Sequence, residues 1–70
     1  MTFDPLYVIA NITTDSLSLE EASVLATHLE SYLDDGHSEG AEAYTCIVNF
    51  LNQASRITLN QKHDLLDLLG

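Results

Sequence analysis

Seventy residues carry eleven carboxylates against only Arg56 and Lys62, a formal charge of −9, which repels nucleic acid and anionic membranes and steers the chain towards basic protein surfaces. A hydrophobic fraction of 46% fits a folded domain and excludes a disordered acidic tail. Cys46 is the only cysteine, so neither an intramolecular disulfide nor a zinc-type cysteine pair can staple a core that supplies roughly 3–5 kcal/mol unaided. Stability must then come from tight helix packing, from self-association or from a partner.

Met1 to Ile12 contains no basic residue and no long apolar run. Neither a signal peptide nor a membrane span is expected there, and with the lone thiol the chain reads as cytoplasmic. Residues 1–15 allow two conformations. Asp4-Pro5 is a good N-cap and first-turn pair, and Leu6, Ile9 and Ala10 share a helical face. Tyr7-Val8-Ile9 and Ile12 are strand-prone, so an extended arm stays open beside the favoured short helix.

The next element is the clearest. Ser18 and Glu21 make an S-x-x-E capping box, with Leu17 and Ala22 at staple positions. Ala22, Leu25, Ala26, Leu29, Tyr32 and Leu33 follow the i, i+3, i+4 rhythm of one face, and Gly36 supplies a left-handed stop. These signals predict a helix over 18–34. A second helix over 38–55 is predicted with Ser38 as N-cap. Its apolar residues fall on two overlapping stripes, Tyr44-Ile47-Val48-Leu51-Ala54 and Ala43-Cys46-Ile47-Phe50-Ala54, so it should touch neighbours on two sides. Thr58 and Gln61 form another capping box and open a third helix over 58–69, rich in leucine. The expected fold is all-α: one domain over 1–70, three antiparallel helices with a short N-terminal helix or extended arm.

Chemistry-bearing constellations are few. Glu30, Asp34, Asp35, Glu39 and Glu42 gather around the turn between the first two long helices. Asp-Asp-Gly there is ordinary turn chemistry. The same carboxylates could also present a docking patch to a basic surface, because their spacing over adjacent turns is comparable to that of phosphates. EF-hand spacing is missing, and His28, His37 and His63 lie far apart in sequence, so no metal site is expected. Nucleophile elbows and phosphate-cradling loops are absent too, and Cys46, on an apolar stripe, lacks the cationic neighbours a reactive thiolate needs. No catalytic role and no cofactor are therefore expected.

Asp15-Ser16-Leu17 ahead of a helix, in a small acidic chain, resembles the D-S-L of acyl carrier proteins. That resemblance implies Ser16 as the attachment site of a phosphopantetheine arm. Only fourteen residues precede Asp15, where that family has a full helix and a long loop. The remaining feature is the apolar C-terminal turn. Leu65, Leu66, Leu68 and Leu69 cannot share one narrow stripe, so Leu65, Leu66 and Leu69 are candidates for self-association into a homodimer. The function expected from these features is that of a protein-binding module. It would inhibit or regulate by covering a basic, nucleic-acid-binding surface, without itself touching nucleic acid or membrane. By charge and size the chain resembles phage-encoded inhibitors of host defence, anti-CRISPR proteins included. A structural or assembly protein acting through helical self-association is the competing class.

Overall fold

Every helix but one begins where the sequence supplies a side-chain acceptor for its first backbone N–H groups. The computed structural model describes residues 4–70 and holds four helices in chain order: α1 (Pro5–Ile12), α2 (Leu19–Asp35), α3 (Ser38–Gln53) and α4 (Leu59–Asp67). No strand occurs among the described residues, and the fold is all-α. Met1, Thr2 and Phe3 lie outside them.

The N-terminal segment is a helix. Asp4 Oδ1 accepts from the N–H groups of Leu6 (3.1 Å) and Tyr7 (3.4 Å), with Pro5 at the first helical position. Ile9 is fully buried against the core. This cap and this burial outweigh the strand preference of Tyr7-Val8-Ile9. α2 starts with the complete Ser18–Glu21 capping box and stops at Gly36, whose φ of 70° is left-handed and whose N–H donates to the Tyr32 carbonyl.

Several boundaries differ from the expected ones: α2 runs one residue further, to Asp35, α4 stops at Asp67 rather than 69, and α3 differs at both ends. Ser38 is the first helical residue of α3 rather than its cap; His37 is the N-cap and makes no side-chain cap bond. Only Gly36 and His37 separate α2 from α3, so the left-handed Gly36 turns the chain straight into the next helix. At the other end α3 stops at Gln53, two residues before the expected Ser55. Ser55 adopts a φ of 61°, its N–H donates to the Asn52 carbonyl, and the Arg56 N–H donates to the Leu51 carbonyl. This is a Schellman closure with serine where glycine is usual, and so it carries no glycine signal in the sequence.

Packing closes a ring. α1 lies against α2, α2 against α3, α3 against α4, and α4 returns to α1. Of the two forms expected for the N-terminal segment the short helix is the one present, and α1 completes a four-helix ring with the other three helices. Ile9, Ala22, Leu25, Ala26, Leu29, Tyr44, Val48, Leu51, Ile57 and Leu65 form the core. Between α3 and α4 the Tyr44 hydroxyl donates to the Leu65 carbonyl at 2.6 Å. Burial pushes the Tyr44 phenol well above its ordinary value, so this donor stays neutral.

Gln61 fastens the seam between α4 and α1. Its Oε1 accepts from the Thr58 N–H at 2.8 Å, closing the α4 capping box. Its Nε2 donates to the Ile12 carbonyl at 3.1 Å and to Ser16 Oγ at 3.3 Å. Gln61→Glu keeps the acceptor, loses both donor contacts and turns a carboxylate towards the end of α1. With each net hydrogen bond worth about 0.5–1.5 kcal/mol, it should destabilise the fold by about 1–2 kcal/mol. A urea titration followed by circular dichroism measures this, and an unchanged midpoint would show that the clasp contributes nothing.

Candidate interaction surfaces

The five carboxylates of the expected acidic corner are all exposed. Helical spacing sorts them onto different faces. Glu30, Asp34 and Asp35 line a shallow depression on α2 with Thr27 and Ser31, since residues three and four apart share a helix face. Glu39 lines a neighbouring cleft between α2 and α3 with His28, Ser31, His37, Gly40 and Ala43. Glu42 turns to the outside of α3, beside Ala41, Thr45, Cys46 and Asn49. The corner is therefore two adjoining depressions that share Ser31, with Glu42 apart from both.

Counter-charge sits elsewhere. The one ion pair among the described residues joins Arg56 to Glu21 at 2.6 Å, in the first turn of α2 and thus about 20 Å from the last turn of that helix at 1.5 Å per residue. The Ser18 backbone N–H and, after it, Arg56 hold the Glu21 carboxyl below the ordinary carboxylate value. Arg56 is thereby committed at the far end from Asp34 and Asp35. Sequence counting showed the charge imbalance but could not show where the rare cations would fold.

His28, half-buried, and His37, exposed, face the same cleft although nine positions apart. No group of three or more His, Cys, Asp or Glu side chains among the described residues is placed to hold a metal ion.

Of the three leucines expected to self-associate, Leu65 is closed off from the surface. Leu65 is fully buried, and Leu66 and Leu69 are half-buried and pack on the core. α4 touches both α3 and α1, so leucines on more than one side of it find cover, and Leu65 takes no part in a free apolar face. The exposed large apolar side chains lie elsewhere, with Phe50 at 65% and Val24 at 45% among them. Phe50 and Cys46, expected on an apolar stripe, both face outward. α3 buries only the arc of Gly40, Tyr44, Val48 and Leu51, which leaves the second stripe partly uncovered.

The D-S-L tripeptide does not open a helix. Asp15 has a left-handed φ of 67°, and Ser16 lies two residues before the Ser18 N-cap. The Ser16 hydroxyl, half-buried, is engaged by Gln61. This departs from the helix-start placement that the carrier resemblance implies. No described helix is long and apolar enough to cross a membrane. No protein-family model, curated protein or solved structure matches this chain.

Proposed function

We propose that this chain is an acidic protein-binding module that docks on a basic, nucleic-acid-binding surface of a partner protein and occludes it. Such a module acts as an inhibitor or regulator, in the manner of phage-encoded anti-defence proteins of the anti-CRISPR kind. One observation carries the reading: Glu30, Asp34, Asp35 and Glu39 are exposed around two adjoining depressions, while the only ion pair among the described residues is about a helix length away. Unneutralised carboxylates on one side of a small rigid body raise the encounter rate with a cationic surface and fix orientation on contact. The mechanism is steric and electrostatic, with the partner's Lys and Arg side chains engaged by carboxylates in place of phosphates.

Charge reversal tests it. The triple variant Asp34→Lys, Asp35→Lys, Glu39→Lys should weaken capture of host basic proteins at low salt by at least about 100-fold, equivalent to about 2.7 kcal/mol. A triple variant of equal charge change placed elsewhere, Asp15→Lys, Asp64→Lys, Asp67→Lys, separates location from bulk charge and should cost far less. Equal losses in both would sink the patch, and so would binding that ignores ionic strength.

The competing reading, self-association, now rests on the exposed apolar side chains rather than on Leu65. The oligomeric state of the same variants reads it out, because charge reversal at the patch should leave a homodimer built on apolar contacts in place.

A further inference from the structure

The cleft beside Glu39 is one end of a longer feature. Gly40 sits directly on the α2 backbone, its would-be Cβ only 2.8 Å from the His28 carbonyl oxygen and 3.2 Å from the Tyr32 nitrogen. At the other end of the hairpin Arg56 reaches Glu21. These two contacts fix α2 and α3 in antiparallel register. Ala43 shares the outer cleft with His28 and Ser31, and one helical turn at a time that face continues to Ile47 and Phe50 on α3 and back to Val24 on α2. Helical spacing puts Val24 on the outer side of α2 and Phe50 on the outer side of α3, both exposed, with half-buried Ile47 on the same face of α3.

Carboxylates close the seam at both ends. Glu20 lies one turn from Val24 on the same face, and Asp35 one turn beyond Ser31, with Glu39 in the adjoining cleft. Glu20 and Asp35 are fifteen residues apart on one helix, about 22 Å. Among the described residues neither basic side chain balances them there: Arg56 is paired with Glu21, and Lys62 is on α4, which does not pack against α2. An apolar patch of Val24, Ile47 and Phe50, set beside the polar cleft of His28, Ser31, His37 and Glu39 and between anionic ends, matches the face of an amphipathic helix with apolar anchors flanked by Lys and Arg. A second copy of this chain matches poorly, because two such seams would oppose carboxylate to carboxylate.

We infer that the outer seam of the α2–α3 hairpin, centred on Val24 and Phe50, docks a basic amphipathic helix of the partner protein. This rests on the proposed function for the partner's positive charge and adds the shape of what is bound. The chain contains no tryptophan, so Phe50→Trp installs a single reporter at the centre of the seam. Titrating this variant with a sixteen-residue Leu/Lys peptide patterned as an amphipathic helix should shift the indole emission to the blue and saturate. A peptide of the same composition with scrambled order should bind at least tenfold more weakly. Phe50→Ser should lower affinity for the patterned peptide at least tenfold, read by the peptide's gain of helical circular dichroism, with the protein's thermal midpoint unchanged because the side chain is exposed.

Equal binding of patterned and scrambled peptides would overturn the seam and leave the acidic docking reading standing. Loss of binding on Asp34→Lys, Asp35→Lys, Glu39→Lys with none on Phe50→Ser would do the same. Failure of every cationic peptide to bind at low salt would overturn both. A dimer in light scattering that Phe50→Ser dissociates would assign the seam to a second copy and overturn the inference.

Discussion

Replacing Tyr44 by alanine is expected to leave the chain largely unfolded at 25 °C. Tyr44 is the bulkiest of the fully buried side chains and joins α3 to α4 at the centre of the core. Truncating a buried aromatic costs about 3–5 kcal/mol through lost transfer energy and the cavity left behind. An unstapled core of this size has roughly the same amount in total. Tyr44→Phe isolates the hydroxyl. The Leu65 carbonyl would keep the Leu68 N–H at 3.3 Å, so the loss should stay near 1–1.5 kcal/mol and lower the melting midpoint by about 4–12 °C. The raised phenol also makes an alkaline prediction. Burial favours the neutral form in the folded state, so the stabilisation is complete below the unfolded tyrosine value of about 10 and declines as pH rises above it. Thermal melts by circular dichroism test all three. A Tyr44→Ala protein with a cooperative transition near the parent midpoint would refute the placement of Tyr44 as the centre of the core.

The helices were legible because their start signals are local. Ser18 with Glu21 and Thr58 with Gln61 need only three-residue spacing, and both boxes form with reciprocal hydrogen bonds. α3 lacks a side-chain cap and ends on a serine in left-handed geometry, so its ends were misplaced. Tertiary choices were less legible. Which of two overlapping α3 stripes is buried depends on where α2 and α4 approach, and nothing within α3 shows that Tyr44 and Val48 win while Cys46 and Phe50 lose. In the leucine-rich turn nothing local shows that Leu65 is fully buried, because α4 lies against two neighbouring helices. Acidity was plain from composition, but its division between the α2 and α3 faces, and the pairing of Arg56 with Glu21 across 35 positions, are products of the fold. The seam through Val24 and Phe50 could not be read in advance, since it exists only once two helices are in register.

Gly40 sets that register, and its replacement should reverse a familiar sign. Glycine inside a helix normally costs about 0.5–1 kcal/mol relative to alanine, so Gly→Ala at a compatible position stabilises. Gly40 is the third residue of α3 and is buried. A methyl group there would meet the His28 carbonyl oxygen at 2.8 Å, the Tyr32 nitrogen at 3.2 Å and Ser31 Cβ at 3.3 Å. Two of these are backbone atoms of a packed helix and cannot swing aside as a side-chain tip could. α3 must therefore move away from α2, and overpacking of this kind typically costs about 1–3 kcal/mol. Set against the helix-propensity gain, Gly40→Ala should be destabilising by about 1–2 kcal/mol, and Gly40→Val by more. The displacement acts at the cleft formed by His28, Ser31, His37, Glu39 and Ala43, so binding that uses the outer seam should weaken beyond what the loss of folded protein explains. Chemical denaturation gives the sign. A Gly40→Ala protein more stable than its parent would mean that the two helices do not approach closely at this residue, and that the seam they form is wider than Gly40 alone permits.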